Sequence, residues 1–254
     1  MKITIIQYDI AWGAPVANRY RAERLMNEAK GSDLYVLPEM FTTGFTTNPD
    51  GMAEPEDGDT LCWMRERAAA LSAAVAGSVA VSTNGGFHNR FYFVQPDGRV
   101  CFYDKRHLFG YGGEDRNFTC GRQRVVVAFR GVRFLLQVCY DLRFPVWSRN
   151  RGDYDAILYV ASWPVARIAA WTALLRARAI ENQCFVVGAN RTGNDPTCAY
   201  NGSSIIFDAY GHELATAGTT DACAVTACID MEALEVFRRK FPVLCDADAY
   251  TLDV

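Results

Sequence analysis

The strongest constraint on the fold is that short apolar segments alternate with longer helical patterns along the chain. β-Strands are predicted for six segments that are apolar at most positions: "KITIIQY", "DLYVLPE", "SVAVS", "AILYVAS", "CFVVGAN" and "ACAVTACID". Amphipathic or Ala-rich patterns predict helices over residues 18–30, 59–75, 167–182 and 231–240. Strands without a polar face must be covered on both sides, so we expect a sheet with helices packed against it.

Other stretches predict β-hairpins, because strand patterns flank a turn dipeptide on both sides. The dipeptides are "DG" at 97–98, "RG" at 130–131 and "YG" at 210–211. Hairpins combined with alternating strands and helices predict a mixed α/β (α+β) fold. Periodicity does not distinguish one mixed sheet from a two-sheet sandwich with outer helices. The 254 residues contain no repeat and no Pro/Ser-rich linker, so we expect a single domain over residues 1–254.

Charge and composition argue against several classes of function. A formal net charge of -3 without clustered Lys and Arg predicts no binding of nucleic acid. No segment approaches the roughly 18 apolar residues of a membrane span, and Gln7 and Asp9 interrupt the first apolar stretch too early for a signal peptide. Nine cysteines without a CxxC pair favour free thiols and a cytoplasmic location. The three histidines lie far apart in sequence, so neither a metal site nor a cofactor is expected.

Three predicted strands end in residues that could perform chemistry together. "LYVLPEM" presents Glu39, "CFYDKRH" presents Lys105 and "LLQVCYD" presents Cys139. Each has an ordinary alternative, because a lone cysteine is most often a buried hydrophobe and a lone Glu or Lys is most often at the surface. Together, a carboxylate could accept the thiol proton, an ammonium could face an oxyanion, and the Tyr140 backbone N–H could be a second donor. Amide hydrolysis requires these roles.

The motifs around these residues resemble those of the nitrilase superfamily, also called carbon–nitrogen hydrolases. "LPEMFTTGF", "YDKRHLF" and "CYDLRFP" are similar to the Glu, Lys and Cys motifs of that family, and they occur in the same order. "RARAIENQCFVVGANR" and "KFPVLCDADAY" match as well. The resemblance implies that Cys139 is the nucleophile, Glu39 the general base and acid, and Lys105 the cation that stabilises the oxyanion. It also implies a four-layer α-β-β-α sandwich and a homodimer, with a tail of about residues 241–254 in the dimer interface.

The family also uses a second glutamate after its Lys motif. Glu114 lies nine positions beyond Lys105, in "YGGEDRNF", and is the best match. The resemblance implies that this carboxylate positions the substrate and orients Lys105. Asp115 is the alternative assignment.

The sequence around the nucleophile is similar to the omega-amidase branch of the family, as are "DKRHLF" and "ENQ". This resemblance implies hydrolysis of the terminal amide of 2-oxoglutaramate or 2-oxosuccinamate, which releases the 2-oxo dicarboxylic acid and ammonia. The alternatives are another amidase, a carbamoylase or a nitrilase with a different small substrate. A catalytically idle scaffold subunit is a further alternative of a different class.

A substrate of this kind carries a free carboxylate, which a cation is expected to bind. Arg143 lies four residues beyond the nucleophile, where its guanidinium could make a bidentate contact. The alternative role for this arginine is structural, either a salt bridge with Asp141 or a contact with a helix end. Arg191 and Arg116 are alternative partners for the anion.

Aromatic residues near the motifs are candidates for the pocket wall. Trp163 follows the strand "LYVAS", and we expect it to shield the substrate from water together with Phe45 and Tyr140. Packing in the core is the alternative role, particularly for Phe45. The predicted partner is thus a small amide, with no nucleic acid and no membrane.

Overall fold

The computed structural model describes residues 1–219 and 222–252. Its strands, in chain order, are β1 Lys2–Gln7, β2 Leu34–Val36, β3 Glu54–Pro55, β4 Ala74–Thr83, β5 Gly86–Val94, β6 Val100–Asp104, β7 Val126–Phe129, β8 Val132–Val138, β9 Ala156–Val160, β10 Phe185–Ala189, β11 Thr192–Asn194, β12 Ala199–Asn201, β13 Ile205–Phe207, β14 Glu213–Thr216 and β15 Cys223–Cys228. The α-helices are α1 Pro15–Glu28, α2 Asp59–Leu71, α3 Pro145–Ser148, α4 Ile168–Glu181 and α5 Met231–Lys240. Short 3₁₀ turns span Gly110–Gly112, Glu114–Arg116, Cys139–Arg143, Val165–Arg167 and Val243–Asp246.

The strands form two mixed sheets. The first has the order β15-β1-β2-β4-β5-β6 with β3 beside β4, and the second has the order β14-β13-β10-β9-β8-β7. Strands β1, β2 and β4 run parallel in the first sheet, as do β8, β9 and β10 in the second. The hairpin strands pair antiparallel, as the turn dipeptides predict. Of the two arrangements that periodicity left open, the structure is therefore the two-sheet sandwich.

Successive side chains of a strand point to opposite faces of its sheet. Both faces of each sheet are covered here, as the following three clusters show. Ile3 and Ile5 of β1 belong to one apolar cluster with Leu136 of β8 and Leu158 of β9, and this cluster lies between the sheets. A second cluster joins the outer face of the first sheet to α1 and α2. A third joins the outer face of the second sheet to α4. The layers confirm the expected α-β-β-α sandwich.

The predicted helix over residues 59–75 is too long at its C-terminal end. Helix α2 ends at Leu71, Ser72 adopts a left-handed φ of 50°, and β4 begins at Ala74. The Ala-rich sequence favours a helix when only local propensity is considered. Ala74 and Ala76 instead pair with β2 and are fully buried, so tertiary pairing decides their conformation.

Several short elements have no counterpart among the predicted ones. They are the antiparallel β11–β12 ribbon, α3 and the 3₁₀ turns, all too short to show a period. In the predicted tail, the Tyr250 hydroxyl donates a hydrogen bond to the Val146 carbonyl at 3.0 Å. Residues 253–254 of that tail lie outside the described residues. Within the described part of the chain, no helix combines the length and apolar character needed to span a membrane.

Candidate active site

Three predicted site residues follow strand ends from both sheets. Glu39 lies three residues beyond β2, and Lys105 comes directly after β6, both in the first sheet. Cys139 comes directly after β8, in the second sheet. Because the sheets pack face to face, these loops meet at one end of the sandwich, where all three side chains line one cavity.

Lys105 and two glutamates form a buried ionic cluster. Lys105 Nζ lies 2.9 Å from Glu39 Oε1 and 2.8 Å from Glu114 Oε2. Asn89 Nδ2 bridges the same carboxylates, donating at 2.8 Å to Glu39 Oε1 and at 3.1 Å to Glu114 Oε1. Glu39 and Glu114 are fully buried and Lys105 is 1% exposed, so the ions depend on these contacts in place of water.

Backbone donors hold both carboxylates in position. Ser162 N–H donates to Glu39 Oε2 at 2.9 Å, and Phe109 N–H donates to Glu114 Oε2 at 2.7 Å. Burial and the nearby Glu39 carboxylate raise the pKa of Glu114, and together they outweigh the opposing effect of Lys105. Burial also lowers the pKa of Lys105, but the charges of Glu114 and Glu39 outweigh this and hold the pKa well above its ordinary value. Lys105 is therefore a fixed cation at neutral pH.

Cys139 begins a sharp turn that presents its thiol to this cluster. Its φ is 44°, in the left-handed region that non-glycine residues seldom adopt, and the 3₁₀ turn Cys139–Arg143 follows. The thiol lies close to the carboxylate of Glu39, and both side chains line the same cavity. Burial raises the pKa of the Cys139 thiol, the Glu39 carboxylate raises it further, and Lys105 opposes both. The resting thiol is thus protonated and lies beside a carboxylate that can accept its proton.

Asp141 joins the turn after Cys139 to the loop that carries Lys105. Its Oδ2 accepts hydrogen bonds from the Tyr103 hydroxyl at 2.8 Å and from Val138 N–H at 2.9 Å. Its Oδ1 accepts from His107 N–H at 3.0 Å and contacts His107 Nδ1 at 2.8 Å. Since Asp141 is fully buried, this network fixes the two loops relative to each other.

The cavity around the thiol has a volume of about 440 Å³, sufficient for a small metabolite. Charged and polar residues of its wall include Glu39, Lys105, Cys139, Arg143, Ser162 and Arg167. Aromatic residues of its wall include Trp12, Phe45, Phe109, Tyr111, Tyr140, Trp163 and Tyr200. The expected wall residues Phe45, Tyr140 and Trp163 therefore all contact this space.

Of the three arginines that were candidates for binding the substrate anion, only one lines the cavity. Arg143 lines the cavity, with its Cζ 4.9 Å from the centre of the Trp163 ring. Among the described residues no carboxylate lies within 4.0 Å of the Arg143 guanidinium, so the alternative salt bridge with Asp141 is absent. Arg191 is fully buried and donates to Ile10 O at 3.0 Å, and the exposed Arg116 does not line the cavity. Neither Arg191 nor Arg116 lines the cavity, so the structure favours Arg143 as the candidate partner for the anion.

The structure also separates the two candidates for the second carboxylate. Glu114 contacts Lys105, whereas Asp115 is exposed to solvent.

Three further residues at the site have no role in the sequence predictions, namely Asn89, Ser162 and Arg167. Asn89 lies between His88 and Arg90 in β5, so the sequence gives no sign that this polar side chain is fully buried. Ser162 acts through its backbone N–H, for which the sequence has no signal.

The described residues contain no group of three or more His, Cys, Asp or Glu side chains arranged to hold a metal ion. All nine cysteines lie within the described part of the chain, and none is in a disulfide.

Comparison with known proteins identifies the family. The family model described as carbon-nitrogen hydrolase matches residues 2–239. The chain belongs to the carbon–nitrogen hydrolases. Omega-amidase YafV of Yersinia enterocolitica is 46% identical to this carbon–nitrogen hydrolase, over 99% of this chain and 98% of the relative. The 2-oxoglutaramate amidase of Bacillus subtilis is 36% identical, over 96% of each chain.

Solved structures of the family share the fold. XC1258 of Xanthomonas campestris, a CN-hydrolase superfamily protein with an arsenic adduct in its active site, superposes with a TM-score of 0.97 at 42% identity. The alignment covers 100% of this chain and 99% of XC1258. Nit3 of Saccharomyces cerevisiae, from branch 10 of the nitrilase superfamily, superposes with a TM-score of 0.83 at 25% identity, over 95% of each chain. The predicted nitrilase-type sandwich is thereby confirmed.

Proposed function

We propose that this carbon–nitrogen hydrolase is an omega-amidase. It hydrolyses the terminal amide of 2-oxoglutaramate or 2-oxosuccinamate to the 2-oxo dicarboxylic acid and ammonia. The observation that carries the chemistry is the Cys139 thiol in one cavity with the buried Glu39–Lys105–Glu114 cluster. The names of the relatives at 46% and 36% identity support the choice of substrate.

Acylation begins when Cys139 Sγ attacks the amide carbon while Glu39 accepts the thiol proton. The carbonyl π electrons move onto oxygen, and Lys105 Nζ and the Tyr140 N–H stabilise the resulting oxyanion. When this intermediate collapses, the C–N bond breaks and protonated Glu39 returns the proton to the leaving nitrogen. Ammonia departs, and the acyl group remains on Cys139 as a thioester.

Deacylation uses the same groups with water as the nucleophile. Glu39 accepts a proton from water as the water oxygen attacks the thioester carbon, and the oxyanion forms again beside Lys105. The C–S bond then breaks, the sulfur regains a proton from Glu39, and the acid leaves. Glu114 supports both steps, because its contact with Lys105 Nζ at 2.8 Å holds the cation in place.

The other end of the substrate requires a partner for its carboxylate. Arg143 supplies this cation in the proposal, since it lines the cavity without a carboxylate of its own among the described residues. Trp163 and Phe45 form apolar walls that exclude water from the reacting amide.

An assay with a small panel of substrates tests this function. Ammonia release should be fastest from 2-oxoglutaramate and 2-oxosuccinamate, and slower from N-carbamoyl amino acids, nitriles and unsubstituted amides. Hydroxylamine should trap the acyl group as a hydroxamate. Cys139→Ala should abolish turnover, whereas Cys62→Ala, at an exposed position outside the cavity, should retain it. A clear preference for carbamoyl compounds or nitriles would reject the omega-amidase proposal.

We also propose a homodimer of single-domain subunits in the cytoplasm. Three exposed apolar side chains support an interface: Ile180 is 50% exposed, Tyr210 is 55% exposed and Phe241 is 58% exposed. Tyr210 and Phe241 both pack against Phe237, with ring centres 3.9 and 6.4 Å apart. An apolar patch of this kind is typical of an interaction surface, and it includes the first residue of the predicted interface tail. The nine unpaired thiols support a reducing compartment.

A further inference from the structure

The cavity contains a second arginine that the reaction steps do not use. The acidic and basic residues of its lining are Glu39, Lys105, Arg143 and Arg167. The Lys105 charge is already balanced by contacts with Glu39 and Glu114. Among the described residues, neither cavity arginine has a carboxylate within 4.0 Å of its guanidinium nitrogens. The cavity therefore contains two guanidinium groups that have no carboxylate partner among the described residues.

Arg167 is held at the cavity wall by aromatic rings. Its Cζ lies 5.3 Å from the centre of the Phe109 ring, and its backbone carbonyl accepts a hydrogen bond from Trp163 Nε1 at 2.8 Å. The face of Trp163 carries the other guanidinium, with Arg143 Cζ at 4.9 Å from the ring centre. Trp163 therefore contacts the guanidinium of Arg143 and the backbone of Arg167. Ring faces orient a guanidinium without neutralising its charge, which leaves its N–H groups available to an anion.

The two arginines are less buried than the ionic cluster beside Cys139. Glu39 and Lys105 are buried, which places the reacting end of the cavity deep in the sandwich. Arg143 and Arg167 are partly exposed, which places both cations toward the opening. An amide bound with its carbonyl at Cys139 would then extend its far end toward the two arginines.

We propose that Arg167 is a specificity-determining residue that binds the 2-oxo acid end of the substrate together with Arg143. The inference deepens the proposed function and depends on it. A 2-oxo carboxylate has three acceptor oxygens on adjacent carbons, more than one forked guanidinium can satisfy. Arg143 and Arg167, which both line the cavity, together have enough N–H donors for the carboxylate and the 2-oxo oxygen. A neutral amide of the same length has no such acceptors and would leave both cations unpaired.

The test compares Arg167→Met with the unaltered enzyme on three amides of the same chain length. These are 2-oxoglutaramate, glutaramate, which lacks the 2-oxo group, and pentanamide, which lacks the carboxylate as well. The substitution should lower kcat/KM for 2-oxoglutaramate about 10- to 100-fold more than for pentanamide, the range expected for a lost hydrogen bond to a charged group. Glutaramate should fall between them. The hydrogen bond from Trp163 is retained, because it is accepted by the backbone.

Two control variants separate recognition from structure. Arg167→Lys keeps the charge but not the forked geometry, so its loss should be intermediate and should appear mainly in KM. Arg151→Met removes an exposed arginine that lies 4.6 Å above the Tyr250 ring and outside the cavity, and it should change no ratio between substrates. Equal losses on all three amides, or no loss in either Arg167 variant, would overturn the inference. Failure of the unaltered enzyme to hydrolyse 2-oxoglutaramate would instead overturn the proposed function.

Discussion

Cys139 combines two properties that conflict in a simple thiolate mechanism. The proposed reaction needs sulfur as a nucleophile, yet burial and the neighbouring Glu39 carboxylate raise the pKa of this thiol. The arrangement resolves the conflict by transferring the proton to Glu39 only when sulfur attacks. A protonated resting thiol also reacts more slowly with oxidants and other electrophiles, because the thiolate is the form that reacts with them.

Glu39→Gln should lower the pKa of Cys139 while abolishing turnover. The substitution removes the carboxylate charge that disfavours the thiolate and leaves the Lys105 cation that favours it. The rate of alkylation of Cys139 by iodoacetamide, followed by mass spectrometry across pH, should therefore rise at a lower pH than in the unaltered enzyme. Alkylation of the exposed Cys62 in the same samples is the internal control. An unchanged or higher midpoint for Cys139 would show that Glu39 does not govern this thiol.

Glu114→Gln should reduce kcat about 100-fold with little change in fold. The carboxylate holds Lys105 Nζ at 2.8 Å and contributes to the raised pKa of the lysine, so its loss weakens both the position and the charge of the oxyanion partner. The alkaline limb of the kcat profile should also move to lower pH, because the lysine pKa falls. Asp115→Asn, at the adjacent exposed position, is the matched control and should retain activity. The reverse result would assign the role to Asp115.

At the scale of elements, the turn after β8 decides where the nucleophile points. The strand itself is apolar and continuous, but the turn Cys139–Arg143 depends on the fully buried Asp141. Its Oδ2 accepts hydrogen bonds from the Tyr103 hydroxyl and from Val138 N–H at the end of β8. Its Oδ1 accepts one from His107 N–H. The turn of one sheet is therefore fastened to the lysine loop of the other.

Asp141→Asn should destabilise the fold by about 1–3 kcal/mol, because its new NH₂ group must face a hydrogen-bond donor at either oxygen position. The free energy of unfolding in urea measures this loss, and kcat should fall as well because Cys139 and Lys105 lose their common support. Asp50→Asn, at an exposed position, should change neither quantity. A stability equal to that of the unaltered protein would mean that the network is not a structural brace.

At the scale of the whole molecule, the proposed catalysis depends on how the two sheets pack. Glu39 and Lys105 extend from the first sheet, whereas Cys139 extends from the second. The apolar layer between the sheets, which includes Ile5 and Leu136, therefore sets the distance between the nucleophile and its base. Close packing makes that distance stiff, since interiors of this density resist compression.

Ile180→Asp should convert the proposed homodimer into a monomer. Ile180 is half exposed and lies close to Gly211, which follows Tyr210, so an aspartate is tolerated in the subunit but is costly inside an apolar interface. Light scattering with size-exclusion chromatography measures the mass of the particle. Val16→Asp, at an exposed position in the first turn of α1, is the control and should leave the mass unchanged. A dimer that persists with Ile180→Asp would place the interface elsewhere.

Local sequence predicted the long elements well and their limits less well. Helix α5 matches the predicted bounds, because its Asp230 cap and basic last turn are strong local signals. The predicted C-terminal end of α2 was wrong, because Ala74 and Ala76 pair with β2 and are therefore part of a strand. The motifs predicted Glu39, Lys105 and Cys139 as a set, and the structure brings these side chains to one cavity. Their catalytic roles stay predictions until the variants are measured.

By itself, the sequence determined the family, the class of chemistry and the alternation of strands and helices, because motifs and apolar periods are local properties of the chain. The tertiary structure alone showed that Glu114 contacts Lys105 while Asp115 is exposed, that Arg191 and Arg116 do not line the cavity, and that Arg167 does. The physical reason is that charge balance is a property of neighbours in space. Whether an arginine is already paired or free to bind substrate depends on residues that are distant in sequence.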